Sequence, residues 1–313
     1  MRRLGVLVAL VALAGCGGSS AGGGTRDGRP PRTVPAPLQV ANGPVQAADP
    51  GSRPLNLQLA AAPDPVVVAL KHPPRSGLLF DLDTGRVLWR WRPDRVLPIA
   101  SLTKMMTALL VVERSRPDDM VRVTKEALAY KGSGIGLLPK GRRVKLETML
   151  NGLLLPSGND AAIALAQRMS GTVAHFVERM NARARDLGLE CTQFSSPDGF
   201  VDAGNHSCAI DLAALSRAVL DQPRLARIVK RRHALLPFPI KGGRLYLNNN
   251  NPLLRTGYPG AIGIKTGYTD AAGRCLVAAA ERDGRRLGVV LLHSPDPGRQ
   301  ATQLLNRGFA LVS

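Results

Sequence analysis

Residues 261–293 read AIGIKTGYTDAAGRCLVAAAERDGRRLGVVLLH, and their patterning decides the fold. Three strand-length runs follow one another: Ala261 to Thr266, Arg274 to Glu281 and Arg286 to His293. Asp283-Gly284 joins the last two and is a strong two-residue hairpin turn. A second hairpin lies far upstream. Ser76-Gly-Leu-Leu-Phe-Asp-Leu82 leads into Asp83-Thr-Gly85, and Arg86-Val-Leu-Trp89 returns. That early hairpin has no strand partners nearby, so it is expected to pair with the C-terminal strands.

Between the two sets of strands the periodicity turns helical. Pro98 precedes an apolar helix from Ser101 to about Arg114, and Val121 to Val123 is a short strand. Helices follow at Leu146–Leu155, Asp160–Met169, Val173–Leu187 and Asp211–Leu220. Pro156, Gly171, Gly188 and Pro223 supply the stops. A last helix runs from about Gly298 to Gly308. Strands, helices, strands and helix in that order predict an α/β fold. Its antiparallel sheet is covered by helices and carries an inserted all-helical subdomain.

The chain has 313 residues, 44% hydrophobic and 21% charged, which is enough to bury a substantial core. No segment reads as a membrane-spanning helix. The N-terminus MRRLGVLVALVALAGC has two arginines and then an apolar stretch of about ten residues, the pattern of a secretory signal. Leu13-Ala14-Gly15-Cys16 looks like a bacterial lipobox, with residues 1–15 removed and Cys16 acylated. Residues 16–64 are rich in Gly, Ser, Pro and Ala and read as a flexible tether. The folded domain is therefore expected at 65–313, exported and held by lipid at the outer face of the cytoplasmic membrane or in the cell envelope.

Export bears on the other cysteines. Of Cys191, Cys208 and Cys275, the first two bracket a Pro- and Gly-containing loop and are the candidates for a disulfide. Cys275 lies in the apolar run CLVAAA and reads as a buried thiol. No Cys/His spacing resembles a metal site. The formal charge of +19 favours anionic partners, and Arg224, Arg227, Lys230, Arg231 and Arg232 form its densest run. Aromatic residues make up only 4% of the chain, which argues against nucleic acid.

Three short motifs carry chemistry. Ser101-Leu-Thr-Lys104 opens a helix, and its i, i+3 spacing puts hydroxyl and amine on one face. A serine needs a base to become a nucleophile, and a buried lysine of lowered pKa can serve. Met105, Met106, Leu109, Leu110 and Val112 make that burial plausible. Ser157-Gly158-Asn159 sits in a tight turn between helices. Lys265-Thr266-Gly267 ends a strand, where Gly267 lets a substrate backbone approach closely.

Each motif alone is weak. Their order, S-x-x-K, S-x-N and K-T-G at intervals of 56 and 108 residues, is the signature set of penicillin-interacting serine enzymes. The longer stretches Pro98-Ile-Ala-Ser-Leu-Thr-Lys-Met-Met-Thr-Ala, Leu154-Leu-Pro-Ser-Gly-Asn-Asp-Ala-Ala and Gly263-Ile-Lys-Thr-Gly-Tyr-Thr resemble the D-alanyl-D-alanine carboxypeptidases. So does Phe194-Ser-Ser-Pro-Asp-Gly199. The resemblance implies a serine hydrolase that trims peptidoglycan stem peptides through an acyl-enzyme and is acylated by β-lactams, with no cofactor. In this family Ser101 would attack, Lys104 take its proton, Ser157 relay a proton to the departing amine, and Asn159 bind the substrate amide. Lys265 and Thr266 would bind the terminal carboxylate, and the amides of Ser101 and Tyr268 would form the oxyanion hole. Gly158 stands where many relatives have Ala, and Tyr268 where some have His. Arg299 is a further candidate carboxylate ligand.

Two alternatives make different demands. A class A β-lactamase needs a glutamate for deacylation in an E-x-x-L-N context roughly 35 residues past the second motif; Glu190-Cys-Thr-Gln-Phe194 lacks the Leu-Asn. A non-catalytic cell-wall binder would use the basic run and not depend on Ser101.

Overall fold

The computed structural model describes residues 54–60 and 63–312. The expected signal segment, Cys16 and most of the expected tether lie outside the described residues. In chain order the elements are β1 (Ser76–Asp81), β2 (Val87–Trp91), β3 (Leu97–Pro98), a 3₁₀ turn (Ala100–Thr103), α1 (Lys104–Glu113), β4 (Met120–Arg122), α2 (Lys125–Leu128) and β5 (Arg143–Lys145). Then come α3 (Leu146–Leu154), α4 (Asn159–Ser170), α5 (Val173–Asp186), β6 (His206–Ser207), α6 (Ala209–Leu220), α7 (Pro223–Val229), β7 (His233–Pro237) and β8 (Arg244–Asn248). The chain closes with α8 (Pro252–Thr256), β9 (Ala261–Thr269), β10 (Gly273–Arg282), β11 (Arg285–Leu292) and α9 (Pro297–Val312).

The main sheet has the order β2-β1-β11-β10-β9, antiparallel throughout. The early hairpin joins the C-terminal strands through β1 and β11, with Leu78 opposite Val290. Asp283 and Gly284 both have positive φ, +50° and +75°, as a tight turn between β10 and β11 requires.

Both faces of the sheet are covered, so its central strands are apolar at consecutive positions. Leu79, Leu276, Val289 and Leu291 pack with Leu304, Leu305 and Phe309 of α9. Leu78, Phe80, Val277 and Val290 face the other way, into the core shared with α1, α3, α4 and α6. Residues Lys104 to Val111 of α1 are all buried, because helices surround it.

The expected start of the domain at residue 65 moves upstream. Leu55 is buried in the main core, Gln58 N–H donates to Gly85 O at 2.9 Å, and Asp64 pairs with Arg90 at 2.7 Å. Isolated leucines without periodicity concealed this contact with the β1–β2 hairpin. The β7–β8 hairpin was also absent from the expectation. Leu245 and Leu247 are buried and Tyr246 is exposed, the alternation of a strand with one wet face.

Cys191 and Cys208 are joined by a disulfide, and Cys275 is a buried free thiol. The bridge spans 17 residues, a closure that stabilises by ~3 kcal/mol in the chain-entropy model. Cys191→Ala/Cys208→Ala is expected to lose about that much in urea unfolding, with a slope equal to or steeper than wild type because the released unfolded chain exposes more surface. Wild-type behaviour in the double variant would mean that the bridge does not constrain the unfolded chain.

Candidate active site

Ser101 lies in the 3₁₀ turn that leads into α1, and Lys104 is the first α-helical residue. Lys104 is wholly buried. Its Nζ donates at 2.7 Å to each of three oxygens: Ser101 Oγ, Asn159 Oδ1 and the Asp198 carbonyl. Burial brings its pKa down from 10.5 to about 7, against the charges of Asp198 and Asp160, which favour the ammonium.

The three partners are not equivalent. Asn159 Oδ1 and the Asp198 carbonyl can only accept. When Lys104 loses a proton, its two remaining N–H bonds serve these two, and the lone pair is left facing Ser101 Oγ. The hydroxyl then donates to the amine. The geometry thus selects the tautomer in which Lys104 is the base and Ser101 the acid.

Each partner is held in turn. Asn159 Nδ2 donates to Lys131 O, fixing the amide with its oxygen toward Lys104. Asp160, next along α4, accepts from Ile135 N at 2.9 Å and Gly136 N at 3.0 Å and pins the 133–136 segment beside the motif. A Cβ at Gly158 would stand 2.7 Å from Asp160 Oδ1, so glycine suits this turn. Asp198 belongs to a loop laced by its own polar groups. Ser196 Oγ donates to Asp198 Oδ1, and Gly199 N donates to Ser196 Oγ, both at 2.9 Å. Thr107 Oγ1 ties the same loop to α1 through Pro197 O at 2.6 Å. Gly199, at φ +71°, has no room for a side chain: a Cβ would lie 2.0 Å from Ala100 O.

Ser157 takes a positive φ of 72°, uncommon for a serine, and its buried Oγ has no hydrogen-bond partner among the described residues. Such strain persists only where surrounding structure enforces it. Gly158 N, bonded to Gly152 O at 2.9 Å, and Asn159 N, bonded to Ser133 O at 2.8 Å, are the restraints after it.

Strand β9 brings the third motif in at the edge of the sheet. Lys265 is buried and donates to Thr266 O at 2.8 Å. Burial first, and then the charge of Lys104, push its pKa well below the ordinary lysine value. Gly267 was expected to admit a substrate backbone. It also admits the protein's own: a Cβ there would lie 2.9 Å from Ile99 O and 3.1 Å from Ser101 N. Tyr268 is 63% exposed, and its hydroxyl donates to Asp270 Oδ1 at 3.0 Å.

Two cavities meet at Ser101. One, of about 390 Å³, holds Ser157, Asn250, Thr266, Gly267, Arg274 and Cys275 among its lining. The other, of about 470 Å³, is lined by Ser133, Asn159, Phe200, Asp202, Tyr268 and Asp270. Arg299 lines neither. It is exposed at the start of α9, where its backbone N–H donates to Asp296 Oδ1 at 3.1 Å. Arg274 lines the first cavity from β10, directly opposite Tyr268. Only the β9–β10 register brings this arginine beside the third motif, and spacing along the chain does not reveal it. Cys275 also reaches the cavity wall, but burial pushes its thiol up to about 12, far from a reactive thiolate.

A buried Ser–Lys pair between a helical block and a sheet edge carrying K-T-G defines the class of penicillin-interacting serine enzymes. The chain belongs to the D-alanyl-D-alanine carboxypeptidase family, whose model matches residues 63–296. It is 34% identical to D-alanyl-D-alanine carboxypeptidase DacF of Bacillus subtilis, over 77% of this chain and 63% of that protein. It is 36% identical to D-alanyl-D-alanine carboxypeptidase DacB2 of Mycobacterium tuberculosis, over 76% and 83%. The chain thus spans just under two thirds of the length of the first of these relatives. The crystal structure of the Streptomyces K15 DD-transpeptidase superposes with a TM-score of 0.72 at 32% identity, covering 78% of this chain and all of that one. A D-alanyl-D-alanine carboxypeptidase structure from M. tuberculosis gives 0.73 at 34%, covering 80% and 96%.

Proposed function

We propose that this protein is a serine-type D-Ala-D-Ala carboxypeptidase that removes the terminal D-alanine of peptidoglycan stem peptides. The observation that carries the reading is the Lys104 amine, buried, at a pKa of about 7 and 2.7 Å from Ser101 Oγ. Neutral Lys104 takes the Ser101 proton as Oγ attacks the carbonyl of the D-Ala-D-Ala bond. The Ser101 and Tyr268 amides stabilise the oxyanion. Ser157 passes a proton to the departing amine, and water then releases the acylated peptide. Lys265, Thr266 and Arg274 take the terminal carboxylate, whose charge offsets the burial of Lys265. Strand β9 is the last in its sheet, so a substrate backbone can add along its free edge.

The N-terminal pattern and Cys16 support export and anchoring by lipid, with residues 16–53 as the spacer. The test measures two things on the exported protein. D-alanine release from a pentapeptide ending in D-Ala-D-Ala is expected, together with a long-lived benzylpenicillin adduct on the peptide containing Ser101. Rapid turnover of the penicillin would favour the β-lactamase alternative, and an adduct on Ser157 would move the nucleophile.

A further inference from the structure

The basic run 224–232 does not act as one face. Arg224 pairs with Glu147 at 2.7 Å, and Arg231 donates to Asn151 Oδ1 at 3.0 Å. Arg232 instead lines a separate cleft of about 750 Å³ with His233, Tyr246, Arg255 and the asparagines 248–250. No acidic residue lines this cleft. Arg232 and Arg255 have no carboxylate partner within 4 Å among the described residues; Arg232 only donates to Arg255 O at 3.3 Å. His233 stacks on Tyr246 with ring centroids 5.7 Å apart, which gives the cleft a flat wall.

Asn250 lines both this cleft and the 390 Å³ cavity at Ser101, so the two adjoin. It is fixed there: Asn250 N donates to Leu155 O and its Nδ2 to Pro156 O, both at 3.1 Å. The cavity it borders is the one with Ser157, Thr266 and Arg274, the groups that handle the departing half of the substrate. Asn159 faces the other cavity, on the acyl side, and Tyr268 borders both. A departing D-alanine is a single small residue, and one cavity suffices for it. The second, cationic and next in line, has the chemistry to take an anion carried further along a longer departing group.

We propose that the cleft between Arg232 and Arg255 is a second substrate subsite, which takes a carboxylate borne by a departing peptide longer than one D-alanine. The inference rests on the function proposed above and extends its substrates to two stem peptides joined through a D-alanyl amide. The chemistry is unchanged. The Ser101 Oγ–carbonyl bond forms, the amide C–N bond breaks, the second peptide leaves as an amine with the relayed proton, and water hydrolyses the ester.

The test compares three substrates on the full-length protein: a linear pentapeptide, a joined dimer whose departing stem has free carboxylates, and the same dimer with them amidated. Wild type should cleave the free-acid dimer about tenfold better than the amidated one, mainly through KM. Arg232→Gln/Arg255→Gln should erase that preference and leave pentapeptide hydrolysis and penicillin acylation unchanged. Equal wild-type rates on the two dimers would overturn the subsite, even if the double variant failed to fold. So would failure to cleave either dimer by an enzyme that releases D-alanine from the pentapeptide. Loss of all three activities and of the penicillin adduct in wild type would instead remove the proposed function, and the subsite with it.

Discussion

Lys104→Arg is expected to yield a folded protein that benzylpenicillin acylates at least about a hundredfold more slowly than wild type. Arginine keeps a cation at the site but has no accessible neutral form, so it cannot take the Ser101 proton. Loss of one general base typically slows a reaction by ~10² to 10⁴. The pH profile separates this mechanism from one limited by hydroxide. In wild type the acylation rate should rise about tenfold per unit below the Lys104 pKa of about 7 and level off above it. In Lys104→Arg the step near 7 should vanish. Stopped-flow acylation between pH 5 and 10 reads both, and near-wild-type rates in the variant would show that another group takes the proton.

The same burial has a consequence for stability. The Lys104 pKa is lower in the folded chain than the ~10.4 of an unfolded lysine. Between about pH 7 and that value the unfolded chain binds the extra proton, so Lys104 makes stability rise with pH across this window. Lys265 acts in the same direction, since its pKa is also lowered by burial. The catalytic lysines therefore weaken the fold most on the acid side of neutrality, and the packing around α1 must offset it. The seven residues that follow Lys104 on α1, Met105 to Val111, are all buried.

The reach of the sequence is clear from which residues it placed. Asp283-Gly284 and the two hairpins were legible because turn chemistry is local, and from them the pairing of β1 with β11 follows. The motif order was enough to propose Ser101, Lys104, Ser157, Asn159 and Lys265 as one site, and the hydrogen bonds from Lys104 bring Ser101 and Asn159 together. Arg274 was not legible as a cavity residue, because its place depends on a cross-strand register. The role of the Asp198 carbonyl was hidden for a related reason. A backbone oxygen leaves no mark in side-chain patterns, and only the fixed turn at Gly199 hints that this loop must sit close to another backbone. Leu55 was missed because a single buried leucine has no periodicity.

Gly267→Ala is expected to slow acylation by ~10² to 10³ while the fold persists. The added methyl would stand 2.9 Å from Ile99 O and 3.1 Å from Ser101 N, both backbone atoms that cannot swing aside. The relief available is for β9 to move off the 3₁₀ turn by a few tenths of an ångström. That movement separates the Ser101 amide from the Tyr268 amide, the two donors proposed for the oxyanion. Removing one such donor elsewhere slows catalysis by ~10² to 10³, because preorganised dipoles act at the atom where charge develops. Lys104 and its acceptors Asn159 and Asp198 lie on α1, α4 and the 196–200 loop, and only Ser101 sits on the turn that β9 touches. The burial and the Asp198 and Asp160 charges that set the pKa of the base do not come from β9, so that pKa should hold. The variant should therefore keep the wild-type pH profile at a uniformly lower rate, with adducts still on Ser101. A shifted profile would place the damage at Lys104 instead, and an unchanged rate would show that β9 need not touch the turn for the oxyanion to be held.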